Sequence, residues 1–258
     1  MAESAWAALV EILSQSFAAP RILAADEETA RASLRQLDVS ASSPLGAIAR
    51  NCGGILLYDG WLRILGGSPC AEVGLPSIAQ INGFPARWDR TWTPTAGLIV
   101  AHDVLGGVFV LNGLRPGAGR PGVPGEVIYL DPRTLDWTRM RMTHGEWLTW
   151  CVSGELPRFY AGLLWPRWRD DVRTLRADQG IAVHPPLWSA QGPDVVRSVA
   201  AMADLLQLQF REAGLRGRRL DDAMARYPVV QGSTTILPRV SPDSIRVWAS
   251  RIWSRAKT

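Results

Sequence analysis

Lysine is almost missing from this chain. Lys257 is the one lysine among 28 basic residues, and 24 acidic residues leave a net charge of only +4. That excess is weaker than the clustered cationic face of a dedicated nucleic-acid binder, and no nucleic-acid partner is expected. Cysteine is scarce too: Cys52, Cys70 and Cys151 are an odd count at scattered spacing. They fit neither a disulfide framework nor a Cys-x-x-Cys metal knuckle, and they suit a reducing cytoplasm. No uninterrupted apolar run approaches the roughly 20 residues of a membrane span. Glu3 stands where a secretory signal carries basic residues, so neither membrane insertion nor standard secretion is expected. The familiar catalytic signatures are absent as well: there is no Gly-x-Ser-x-Gly, His-Glu-x-x-His, dinucleotide fingerprint or paired-cysteine site. His102, His144 and His184 stand far apart without metal-type spacing. No catalytic residue, cofactor or metal is assigned, and enzymatic activity is not expected.

What is present is globular composition, 47% hydrophobic and 20% charged, which excludes a wholly disordered chain. At 258 residues the chain is near the size where single cores stop growing, so one main domain with an appendage is expected. Trp6, Leu9, Val10, Leu13 and Phe17 fall on one helical face that Pro20 ends. Asp26 suits an N-cap, with Glu27 and Glu28 in the first turn and Ala30, Leu34 and Leu37 as the buried stripe. Pro44 suits a first helical turn that runs to Gly53-Gly54, with Cys52 as core packing.

From Ile55 the pattern turns to strands. Two apolar runs flank Asp59-Gly60, a hairpin signal that exploits glycine's tolerance of positive φ. GLIVA (97–101), VFVLN (108–112) and EVIYL (126–130) follow at spacings that permit only hairpin returns. Thr143 and Glu146 form a capping box before Trp147, Leu148, Trp150 and Cys151. IAVH reads as a strand, and Val199, Met202, Ala203, Leu206 and Phe210 as a helix from Ser198 that Gly214 stops.

The fold class is therefore α+β: a central twisted antiparallel sheet flanked by helices, with additional C-terminal helices. Residues 1–214 form one domain with helices over 4–18 and 26–52, a sheet over 54–131, and helices over 143–170 and 198–213. Residues 215–258 form a linker and a basic amphipathic helix. Its Ile245, Trp248 and Ile252 stripe suits a homo-oligomer contact as well as docking on its own domain.

Two kinds of candidate site stand out. Tryptophan and arginine dominate binding hot spots, and they interleave at Trp88, Arg90 and Trp92 and again at Trp165, Arg167 and Trp168. Arg115 and Arg120 lie in the glycine- and proline-rich loop 114–126, which lacks a phosphate-loop ending and precedes a strand. These eight residues are the candidate partner-binding set. The second candidate is a polar pocket at His102, Asp103 and Asn112, although Asp103 ahead of Gly106-Gly107 also reads as a turn former.

The block from about Leu45 to Trp188, with LGAIARNCGGILLYDGWLRILGG, LPSIAQING, GLIVAHDVLGGVFVLNG, GEVIYLDPRTLDW, GEWLTWCVSGELPRFYAGLLWPRW and DQGIAVHPPLW, resembles the bacterial family called domain of unknown function 2625. The order strand, Asp, Gly-Gly, strand, Asn-Gly, loop, strand, Asp-Pro, capped helix also looks like the SUKH superfamily. That likeness implies an α+β protein of a kind that includes immunity proteins, which neutralise bacterial toxins by binding them. The expectation is thus a cytoplasmic, non-enzymatic protein-binding domain, with a toxin as one candidate partner. The alternative is a small-molecule-binding protein or enzyme with its pocket at His102 and Asp103.

Overall fold

The fold was obtained as a computed structural model, and it describes residues 5–16, 18–115, 120–189 and 195–215. Helix α1 (Ala5–Ser14) buries Leu9 and Leu13, while Phe17 lies outside the described residues. Strand β1 (Arg21–Leu23) follows and pairs with β2 (Gly54–Leu57). Asp26 caps α2 (Glu27–Leu37), its carboxylate accepting from the Thr29 N–H. Ser43 caps α3 (Pro44–Asn51) by accepting from the Gly46 N–H, and Pro44 sits in the first turn.

The β2–β3 turn forms where Asp-Gly predicts it, but it is wider than a two-residue loop. Tyr58 and Asp59 adopt φ of 55° and 58° and Gly60 adopts 89° before β3 (Leu62–Leu65) begins. Past the short helix α4 (Ile78–Ile81) come β4 (Gly97–Asp103), β5 (Val108–Asn112), β6 (Glu126–Leu130) and β7 (Trp137–Thr143). All seven strands pair in chain order and antiparallel. The expected meander is therefore present, and it extends at both ends beyond 54–131 by β1 and β7. Nearly every residue of β3 to β6 is buried, so both faces of the central sheet are covered, which is why these strands read as continuous apolar runs.

The Thr143–Glu146 capping box starts α5 (His144–Val152). The helical span expected to 170 is broken into α5, α6 (Leu156–Phe159) and α7 (Trp168–Arg173). A two-stranded antiparallel sheet pairs β8 (Gln179–His184) with β9 (Val196–Ala201), and α8 (Met202–Leu215) follows. The helix expected from Ser198 is thus corrected: residues 198–201 pair with Gly180, Ile181 and their neighbours, and Gly214 falls within α8 rather than ending it. One hydrophobic core runs from Leu9 to Phe210. The linker and the C-terminal amphipathic helix fall outside the described residues beyond Leu215.

Candidate functional site

The structure does not bring the three residues of the expected polar pocket together. His102 and Asp103 are both fully buried, and as successive strand residues they project to opposite faces. Asn112 is paired with Gly97 at the far end of β4, whereas His102 is paired with Val108. Asp103 builds the β4–β5 turn: its carboxylate accepts from the Leu105 N–H (2.9 Å), the Gly107 N–H (2.9 Å) and the Tyr129 hydroxyl (2.7 Å). Burial raises its pKa, against the pull of those donors. The turn-forming reading of Asp103 is the one its contacts support. The Asn112 Nδ2 donates to the Pro121 carbonyl. His102 lies opposite Arg63 on β3, and burial, followed by the Arg63 charge, pushes its pKa down to about 3.

The second Trp-Arg segment serves the core. Trp165 and Trp168 are buried, and their rings close on Trp61 at 5.5 and 5.3 Å between centroids. Only Arg167 of that trio is exposed, paired with Asp170. Arg120 is buried too: its guanidinium donates to the Ala96 carbonyl at 2.7 Å and lies 4.9 Å over the Trp137 ring. These three residues are therefore not available at the surface as a partner-binding set would require, because the core has claimed them. Arg115 is exposed, and its N–H donates to the Thr95 carbonyl.

The first Trp-Arg segment is different. Trp88 is 54% exposed, and no other aromatic side chain among the described residues is exposed. Exposed Arg87 and Arg90 flank it, and neither makes an ion pair with a described residue. Asp89 between them is exposed and bonds locally. Its carboxylate accepts from the Thr91 N–H and hydroxyl, and these bonds lower its pKa. Gln36 of α2 holds the Asp89 backbone through both its amide atoms. Trp92, half-buried, packs on Phe84 at 4.3 Å between centroids. The loop is thus held by Gln36 and by the Trp92–Phe84 contact, and it offers one exposed indole with Arg87 and Arg90 on either side of the Trp88–Asp89 pair.

A cleft of about 280 Å³ lies elsewhere, between the turn at 162–165, β8 and β9, with Arg133 and Arg197 among its lining residues. Sequence reasoning missed both arginines, since nothing near either carries a motif. Among the described residues no three His, Cys, Asp or Glu side chains group as a metal site. No helix among the described residues is long and apolar enough to cross a membrane.

The model of the family described as "Protein of unknown function DUF2625" matches residues 1–206. The protein YbfG of Escherichia coli (strain K12) is 31% identical over 211 residues, which cover 81% of this chain and 92% of that protein. An uncharacterized protein of Haemophilus influenzae is 33% identical over 184 residues, 71% of this chain and 78% of that protein. No solved structure matches the chain.

Proposed function

The chain belongs to the DUF2625 family, and from its surface we infer a non-enzymatic binding protein that docks an acidic patch of another protein on the Trp88 loop. The observation that carries this reading is the pairing of exposure with rigidity at Trp88. Large apolar side chains left in water on a fixed loop suit an anchor, because little conformational freedom remains to be lost on association. Arg87 and Arg90 outnumber the exposed Asp89 carboxylate between them, and the net positive charge would speed encounter with an acidic surface.

The interior supports the same reading. Arg63 and Asp103, both buried in the central strands, are occupied with backbone groups of neighbouring segments and, for Asp103, with the Tyr129 hydroxyl. Burial raises the Cys52 thiol to about 12 and the Cys151 thiol well above its usual value, so neither is poised as a nucleophile. The three cysteines are unpaired, which supports a cytoplasmic location.

In its narrower form, suggested by the SUKH-like order of elements, the partner is a bacterial toxin and the chain an immunity protein. Co-expression with a toxin encoded beside its gene should then restore growth, and undiminished growth arrest would remove that narrower form. The broader reading is tested by affinity capture from the native host with the wild-type chain, Trp88→Ala and Arg90→Glu. A protein recovered reproducibly by the wild type and lost from both variants, with their circular dichroism unchanged, is the expected result. Identical recoveries from all three, or no reproducible partner of the wild type, would overturn it.

A further inference from the structure

We propose that the cleft between the turn at 162–165 and the β8–β9 sheet binds a small monocarboxylate carrying an apolar chain. This site is separate from the Trp88 loop and stands on its own geometry. Leu105, Leu163, Leu164 and Val183 contribute apolar walls. A volume of about 280 Å³ sits at the lower edge of the roughly 300–1,000 Å³ usual for small-molecule pockets. It therefore suits a short aliphatic or aryl acid rather than a large cofactor.

Two arginines give the cleft its polarity. The Trp165 indole is locked by donating its Nε1–H to Asp171 Oδ2 at 2.6 Å, and the Arg197 guanidinium rests 5.0 Å from that ring's centroid. Arg197 makes no ion pair with any described residue, so its charge is uncompensated there. Arg133 is committed through Nε and Nη2 to the Asp131 carboxylate. Its Nη1 lies towards Gly162, where an added Cβ would stand 3.2 Å away, and donates to no described residue. The pair with Asp131 cancels the Arg133 charge but leaves that donor, so the cleft offers one net positive charge and more than one N–H donor. That combination matches a single carboxylate. A peptide C-terminus presents the same anion, but its amides would find few partners on the apolar walls, and unpaired amides are costly to bury. A free acid is the better occupant.

Titration calorimetry of the full chain with octanoate, octanol and octylamine tests this. Octanoate is expected to bind, octanol roughly tenfold more weakly or worse, and octylamine not at all. Arg197→Gln, a substitution at an exposed position, should weaken octanoate by about tenfold and leave octanol unchanged, while Trp88→Ala should bind octanoate as the wild type does. Equal affinities for octanoate and octanol, an Arg197→Gln variant that binds octanoate normally, or no binding of octanoate at millimolar concentration would each overturn the proposal. Loss of octanoate binding in Trp88→Ala would overturn the separateness of the two sites.

Discussion

Gln36 and Asp89 are joined by a reciprocal pair of hydrogen bonds: the Gln36 Nε2 donates to the Asp89 carbonyl at 2.8 Å, and the Gln36 Oε1 accepts the Asp89 N–H at 2.9 Å. A buried side-chain amide thereby stands in for a strand partner and fixes the residue next to the exposed indole. Gln36→Leu should cost about 1–3 kcal/mol, since a part-buried backbone donor and acceptor lose their partner. Hydrogen exchange of a peptide covering residues 85–92 should accelerate, and partner capture should fall although Trp88 and Arg90 remain. Unchanged exchange would mean that the loop is held by other contacts.

Asp103 organises the central turn, so its removal should be felt globally. Asp103→Ala leaves two backbone N–H groups and the Tyr129 hydroxyl without their acceptor, a loss of about 3–5 kcal/mol for a buried charge network. Tyr129→Phe should cost less, about 1–2 kcal/mol, because a single bond is lost. Gly107→Ala should also destabilise, since its new Cβ would collide with the Asp103 carboxylate and the Tyr129 hydroxyl. Urea denaturation ranks the three, and equal midpoints for Asp103→Ala and wild type would contradict the assignment.

Buried histidines should make the fold acid-sensitive. Burial holds His102 and His144 down to about 3 in the folded chain, against 6.5 when free. Between those values the unfolded chain binds protons that the folded chain does not. Stability is therefore complete above the free value and falls as pH drops, by about 1.4 kcal/mol per pH unit for each histidine. Asp103 acts in the opposite sense: its raised pKa lets the folded state gain a proton first on acidification, which offsets part of the loss. Replacing His102 and His144 with Leu should flatten the slope of unfolding free energy between about pH 6 and pH 4. A slope equal to that of the wild type would be incompatible with neutral, buried imidazoles.

Arg63 links the meander to the segment that precedes β8. Its Nε donates to the Gly60 carbonyl at 3.1 Å and its Nη1 to the Ala177 carbonyl at 3.0 Å, with the Gln179 carbonyl as a further acceptor. Desolvation lowers its pKa to about 10, and it still carries its charge at neutral pH. Arg63→Met should remove about 2–4 kcal/mol by stranding those carbonyls. Arg63→Lys should not restore it, because a point ammonium cannot span acceptors placed for a planar fork. Full rescue by lysine in thermal melts would argue that only the charge matters.

Local chemistry made some of this architecture legible. Asp26, Ser77 and Thr143 each accept from the backbone N–H three residues on, and a cap depends only on residues within one turn. Asp26 and Thr143 are accordingly legible from the sequence alone. Buried runs separated by short turns could pair only as a meander. By contrast, β7, with the sequence WTRMRMT, has no fully buried residue and presents no apolar run, so its existence rests on pairing with β6. Residues 196–201 carry helix-compatible spacing, yet six pairs with β8 override it, since sheet formation follows the partner more than the intrinsic preference. The two Trp-Arg segments look alike in sequence; Trp61, far upstream, draws Trp165 and Trp168 inward, while Trp88 has no such neighbour. Arg133 and Arg197 meet at one cleft only through tertiary packing.

The most direct test of a surface-acting protein is site-specific photo-crosslinking in the native host, with a photoreactive phenylalanine analogue at position 88. The account predicts one reproducible crosslinked protein, absent when the analogue is placed at exposed Val123 and strongly reduced when Arg87 and Arg90 are both changed to Glu. A crosslinking pattern at position 88 no different from that at position 123 would contradict it.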